Sequence, residues 1–238
     1  MIIRHGGDSL LLITQPDHAA LGGRMMRGWQ RDALQRSARR DEILIAVEQH
    51  DHGWSEPDAS PIVDVDSGKL LDFMAVRDDV KRDVWPRAVA HLAATPYAAA
   101  LVAHHAIHVY RRYRPHPEWS AFFKEMERLR ADHIRASRPL TLNELFLDYR
   151  FVRLGDLLSL TFCNAWTEPQ TGDDNQFRFH LDGDVLRVSP DPFAGAEIPF
   201  EIDARQLPDR AYRSSDDAAT AFAAAPIVTL RGALIGSD

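Results

Sequence analysis

The chain changes hydrophobic period twice. Apolar and polar residues alternate near both ends, whereas the middle follows a helical period, so strands are expected to flank a helical centre. At the start, Ile2-Ile3-Arg4 and Ser9 to Thr14 are short apolar runs around the turn signal His5-Gly6-Gly7-Asp8, which predicts a β-hairpin. A helix enters at Gln15-Pro16-Asp17, with proline in its first turn and Asp17 complementing the positive helix end. His18 then falls in that first turn, and Gly22 and Gly23 permit another helix or a ligand to come close. Ile43 to Val47 is too continuously apolar to assign by period alone. The following Glu48-Gln49-His50-Asp51-His52-Gly53 keeps a helical pattern to a glycine stop, which predicts a buried helix whose C-terminal turn presents His50 and Asp51. From Trp54 to about Lys69, prolines and acids describe a long loop placed to cover a pocket beside that pair.

Three proline-punctuated helices are expected next, at about Asp83 to Ala94, Pro96 to Tyr113 and Pro117 to Ser137, with Pro86 confined to an opening turn. The middle one carries His104, His105 and His108. Helical spacing puts 104 and 108 on one face and turns 105 about 100 degrees away, so the three do not aim at one point. Thr141-Leu142-Asn143-Glu144 offers a capping box to a long amphipathic helix reaching roughly Ala165. Asp156 lies within it among leucines and Val152, where a carboxylate must either reach the surface or be buried with a partner. Beyond about Thr167 the alternation returns. Gln176 to Leu181 and Asp184 to Val188 flank the turn Asp182-Gly183, and Ile198 to Ile202 and Ile227 to Leu234 add strands around an alanine-rich helix from about Ser215 to Ala224. The expected fold is α+β: a mainly helical core over about 15–166, and a small antiparallel sheet built from the N-terminal hairpin (1–14) and the C-terminal strands (176–238). One domain over 1–238 is the expectation.

Composition narrows the function without naming it. The 238 residues, 45% hydrophobic and 26% charged, are ordinary for a globular chain, and the formal net charge of −7 provides no broad positive field. Nucleic acid and anionic membrane surfaces are therefore not expected partners; a small molecule is. The start MIIRHGGDSLLLIT has an acid and two glycines where a signal peptide needs an unbroken apolar stretch, and no apolar run approaches a membrane span. The single cysteine, Cys163, agrees with a reducing compartment and reads as a small buried apolar residue. A cytoplasmic location is expected; oligomeric state stays open, a homodimer among the options.

His18, His50, Asp51 and Asp156 carry the candidate chemistry. Imidazole nitrogen with carboxylate oxygen is a ligand set accepted by divalent transition metals, and such a cluster with open positions activates water. Each residue also has a plainer reading: His50 beside a helix C-terminus interacts well with the dipole, and Asp156 can pair with Arg153. Arg24 and Arg27, and later Arg111, Arg112 and Arg114, match phosphate oxygens in shape, although a solvated helix face explains them too.

The order of these residues resembles the HD-domain metal-dependent phosphohydrolases: a helical His (His18), an apolar helix ending in His-Asp-x-Gly (His50 to Gly53), and an Asp in a late helix (Asp156 in Gly-Asp-Leu-Leu-Ser). The likeness covers about residues 15–166. It implies that His18, His50, Asp51 and Asp156 ligate one divalent metal (Mn, Fe, Ni, Zn or Mg), with Asp51 at the centre of catalysis. It also implies that His104 and His105, with His91 behind them, are the positions for a second metal or for substrate; Arg24 is a candidate phosphate ligand on the guanidinium argument alone. Two departures stand out: His52 where an aliphatic residue is usual, and Trp54 in place of a lysine. No Gly-Tyr-Pro follows His104-His105, which argues against the cyclic-dinucleotide branch. The Gln-x-Asp-His start and the His-Asp-His-Gly-Trp segment are also similar to an uncharacterised bacterial family known only as a domain of unknown function. The expected activity is hydrolysis of a small phosphoester by metal-activated water. The alternatives are a di-iron oxygenase of the HD type and a non-catalytic binding domain with a degenerate site.

Overall fold

The computed structural model describes residues 1–137, 140–172 and 176–237, with the backbone alone at 32 and 33. Strands β1 (Ile2–Gly6) and β2 (Ser9–Ile13) pair from Ile2 with Ile13 to Gly6 with Ser9, and Gly7 takes the turn's positive φ of 69°. Helix α1 (Gln15–Arg27) follows at once, capped by Thr14, whose hydroxyl accepts from the Asp17 amide at 3.1 Å. A short α2 (Asp32–Arg36) leads to α3 (Arg40–Gln49). This third helix stops earlier than the glycine at 53 suggested: His50 is its C-cap, and Asp51 opens a 3-10 turn over His52–Trp54. Gly53 has a different task. A Cβ there would overlap the Val84 carbonyl oxygen, so this turn lies directly on the backbone of the neighbouring helix.

That neighbour, α4 (Asp78–His91), begins ahead of the expected Asp83. Asp78 and Asp79 favour its N-terminus, and burial of Val84, Trp85, Ala88 and Val89 holds it on the core. Pro86 consequently falls inside the helix, contrary to the opening-turn expectation, and only one backbone hydrogen bond is forgone. The segment before it is not a bare loop: β3 (Ile62–Val63) and β4 (Leu70–Leu71) form a small hairpin. Helices α5 (Pro96–Val109), α6 (Ser120–Ala136) and α7 (Leu142–Cys163) complete the helical layer, and the capping box at Thr141 and Glu144 is formed.

The sheet is larger than expected. To β1 and β2 are added β5 (Gln170–Thr171), β6 (Arg178–Asp182), β7 (Val185–Ser189), β8 (Glu197–Pro208) and β9 (Ile227–Gly236), in the order β1-β2-β8-β9-β7-β6-β5. The seven-stranded sheet is not wholly antiparallel, because β7 and β9 run parallel. Helix α8 (Ser215–Ala224) bridges β8 to β9 and lets the chain return antiparallel to β8 while lying beside β7. The turn between β6 and β7 is Gly183-Asp184, one residue later than predicted, since Asp182 still pairs with Val185. Phe200, Ile202 and Ala204 alternate inward on β8 and share a core with the helices; Phe162 of α7 meets Phe200 edge to face at 4.7 Å. Cys163 is buried there, as expected, and burial pushes its thiol upward.

One junction of small residues sets the spacing of the helices that matter. A Cβ on Gly22 would sit 2.7 Å from the Gly155 carbonyl oxygen, and one on Gly155 would sit 2.5 Å from a Val47 methyl group. Helices α1, α3 and α7 therefore touch backbone to backbone or nearly so. His18, one turn before Gly22, is brought beside Ser159, one turn after Gly155, while Asp156 and the end of α3 meet from the other side.

Candidate metal centre

All four candidate ligands are buried: His18 and His50 are sealed, and Asp51 and Asp156 retain about 5% and 4% of their surface. The His18 Nε2 lies 2.8 Å from Asp51 Oδ2, and its Nδ1 lies 3.0 Å from the Ser159 hydroxyl. Ser159 donates to the helix carbonyls of Gly155 and Asp156 at 3.0 Å, so its oxygen is available to accept from His18 Nδ1–H. That bond leaves Nε2 facing Asp51. His50 is held the same way: its Nδ1–H donates to the Val47 carbonyl at 2.7 Å. Among the described residues its Nε2 has no hydrogen-bond partner, and it faces two carboxylates, Asp51 Oδ2 at 3.5 Å and Asp156 Oδ1 at 3.6 Å. Two carboxylates facing one buried imidazole nitrogen are a site for a cation, a proton or a metal ion, and both imidazoles have their outer nitrogen fixed by a supporting group.

Electrostatics agree. Burial by itself would lower the His50 pKa, but Asp51 and then Asp156 outweigh it and raise the imidazole to about 9. Burial pushes the Asp156 carboxyl upward, and His50, His105 and Arg153 overcome this and hold it well below the usual range. The alternative partner read from sequence is real as well: Arg153 donates to Asp156 Oδ2 at 2.7 Å. Asp156 thus spends one oxygen on Arg153 and turns the other to His50.

A fifth side chain joins them. His105 places Nε2 3.7 Å from Asp156 Oδ2 and Nδ1 3.1 Å from the Tyr149 hydroxyl, and burial keeps the imidazole neutral. The ligand atoms of His18, His50 and Asp51, and those of His50, His105 and Asp156, fall in two groups, each within 4.8 Å, that share His50. These are buried His and Asp groups of metal-binding composition.

Not every expected residue arrives. His104 faces away from the cluster, with Nδ1 2.9 Å from Arg130 and its ring against Phe146 and Tyr149. His105 and His108, three apart, line the cavity together instead. Arg24 is exposed and donates to the Glu201 carbonyl at 2.9 Å, and it does not line the cavity. His91 stacks on His52 at 3.4 Å, outside it. Among the described residues the Trp54–Lys69 segment contributes Trp54 alone to the wall, while Phe73 and Met74, beyond it, also line the cavity. The reason is that Asp58 anchors this segment elsewhere, accepting from the Gln15 amide and the Met1 amino group at 2.6 Å. Ser159, Tyr149 and Lys81 were not singled out from sequence. A serine three residues after Asp156 in an otherwise apolar stretch was a usable signal; Lys81, within a run of charges, gave none.

His18, Asp51, His105 and Asp156 line the floor of a cavity of about 420 Å³, whereas His50 is buried and does not line it. Ser159→Ala is expected to weaken divalent-metal binding roughly 10- to 100-fold without unfolding the chain, because it removes only the orienting bond to His18; titration of the metal-free variant, monitored calorimetrically, measures this. An unchanged affinity would mean that Ser159 does not orient the ligand.

The chain belongs to the family described as protein of unknown function (DUF3891), whose profile matches residues 1–209, from β1 through β8. No curated protein and no solved structure matches it significantly. Among the described residues no helix is long and apolar enough to cross a membrane.

Proposed function

We propose that this protein is a metal-dependent phosphohydrolase of the HD type, acting on a small phosphoester. The observation that supports it best is the convergence of Asp51 and Asp156, both lining the cavity, on the buried His50 Nε2 at 3.5 and 3.6 Å. His18, His50, Asp51 and Asp156 would hold one divalent cation. Such a cation supplies a water of lowered pKa and charge stabilisation at phosphoryl oxygens. The chain's own contribution is orientation and exclusion of bulk water. Ser159 and the Val47 carbonyl hold the two imidazoles in one tautomer, Arg153 keeps Asp156 ionised and fixed, and Trp54, Trp85 and Trp166 line a largely apolar wall. Neutral His105, on the same floor, is placed to hydrogen-bond a bound phosphoryl group.

The shared histidine favours one metal over two. His50 Nδ1 is committed to Val47, so a single lone pair serves both groups of ligands, and they cannot be filled independently through it. This argues for hydrolysis above the two-iron oxygen chemistry.

Protein purified without chelator is expected to carry near-stoichiometric Mn, Fe, Ni, Zn or Mg and to hydrolyse at least one ester in a phosphoester screen. Absence of both overturns the reading. Metal affinity should also depend on pH in a definite direction. The His50 pKa rises from 6.5 to about 9 on folding without metal. Its proton therefore stabilises the metal-free fold fully below 6.5, and that contribution is lost as pH climbs through 9. Over the same window the departing proton frees Nε2, so metal affinity should increase by about tenfold per pH unit and level off near 9. A pH-independent affinity between 6.5 and 9 would contradict this.

A further inference from the structure

The cavity is charged at both ends and apolar between them. One wall follows α5 outward. His105 is on the floor, Tyr110 is still buried, and Arg111 and Arg112, in the next turn, are exposed at the mouth. At a helical rise of about 1.5 Å per residue, α5 climbs roughly 6 Å from His105 to its end at Val109, and the 3-10 turn Arg111–Tyr113 carries the chain on from there. The Arg112 guanidinium lies 4.8 Å above the Tyr113 ring and donates to its hydroxyl at 2.9 Å, and that ring stacks on Trp119 at 4.6 Å. Arg111 donates to the His108 carbonyl at 3.1 Å. Both cations are thus held in place, with further N–H groups to offer.

Among the described residues, neither Arg111 nor Arg112 forms an ion pair, although acids outnumber bases in this chain and the adjacent Arg114 pairs with Glu127 at 2.6 Å. Deeper in the wall, Lys81 is only 6% exposed, with a long contact of 3.4 Å to Asp78. On the floor, a divalent cation and Arg153 would offset Asp51 and Asp156. Lys81 is paired with Asp78, so Arg111 and Arg112 remain as the positive charge at the cavity with no ion pair among the described residues. A single phosphoryl group on the floor cannot also reach guanidinium groups at the mouth.

We propose that the ligand of this cavity is a small organic phosphate bearing a second acidic group. Its phosphoryl group sits on the histidine-carboxylate floor, its apolar middle lies against the aromatic walls, and its second acid, a carboxylate or another phosphate, is bound by Arg111 and Arg112. The assignment of the phosphoryl end to the floor rests on the phosphohydrolase reading. The two-anion requirement rests on the charges at the mouth. The volume, about 420 Å³, lies within the range of roughly 300–1,000 Å³ that encloses one small ligand.

The test uses the full-length Mn-loaded protein and titration calorimetry with non-hydrolysable probes: methylphosphonate, a series of phosphonoalkanoates of increasing chain length, and the matching bisphosphonates. Bifunctional probes are expected to bind at least about tenfold more tightly than methylphosphonate, with an optimum at intermediate length. The two series decide between carboxylate and phosphate at the mouth. In the Arg111→Ala/Arg112→Ala double variant the gain should vanish, while methylphosphonate affinity and metal content stay unchanged. Equal binding of mono- and bifunctional probes by the wild type, a comparison that needs no variant, would overturn the proposal. So would a double variant that weakens every probe alike. Two-anion preference without hydrolysis of any phosphoester would instead remove the phosphohydrolase reading and leave this one standing.

Discussion

His50→Ala is expected to be purified without metal and to lose hydrolytic activity by on the order of 10³-fold or more. The magnitude follows from the role. A cation at this floor contributes several kcal/mol of transition-state stabilisation, and about 4 kcal/mol corresponds to 10³ in rate. His50 is the one side chain common to both groups of possible ligands, so no neighbour can substitute for it. The same substitution has a second, separable effect. Without metal, the raised His50 pKa means that its imidazolium stands between Asp51 and Asp156 at neutral pH. Removing it leaves two buried carboxylates facing each other, which should destabilise the metal-free fold by about 3 kcal/mol. Elemental analysis, kcat/KM on whichever ester the wild type accepts, and urea unfolding in chelator measure the three quantities. Full metal occupancy in the variant would remove the assignment of the centre.

Gly53→Ala should cost about 3 kcal/mol of stability or more, at the top of the range for overpacking, although it adds a single methyl group near the surface of the cavity. The added carbon would overlap the Val84 carbonyl oxygen and come within 3.0 Å of the Ala88 amide nitrogen. Both obstructing groups are helix backbone, which cannot swing aside as a side chain can. Relief requires α4 or the His52–Trp54 turn to move, and that turn begins at Asp51. The variant should therefore lose metal affinity together with stability, whereas Gly183→Ala, at a turn with open space around it, should lose stability through its positive φ alone. Thermal unfolding with and without added Mn separates the two patterns. A Gly53→Ala protein as stable as wild type would show that the turn does not rest on α4 as described.

Much of the fold could be read along the chain because its signals are local. The Gly7 turn, the proline-led start of α1, the Thr141 cap, the alternation in β6 to β8 and the small helix before β9 each depend on residues within a few positions of one another. The candidate cluster was legible for a related reason: His18, His50-Asp51 and Asp156 occupy positions whose order and helical setting resemble a known arrangement. Where the reading went astray, a distant contact had overruled a local rule. Pro86 was expected to mark a helix start, yet the buried face of α4 extends the helix on both sides of it. Gly53 looked like a helix stop and is instead a point of backbone contact. The loop after Trp54 was expected over the pocket and is tied down by Asp58.

By itself, then, the sequence determined which segments are helical or extended, which of their faces are apolar, and which residues could ligate a cation. The tertiary structure alone decided the parallel placement of β9 beside β7, the choice of His105 over His104, the exclusion of Arg24, and the pairing of Ser159 with His18. The physical reason is that period and capping are set by neighbours along the backbone. The partner of a strand or an imidazole is set by how closely separate helices can approach, and here that distance is governed by Gly22 meeting Gly155.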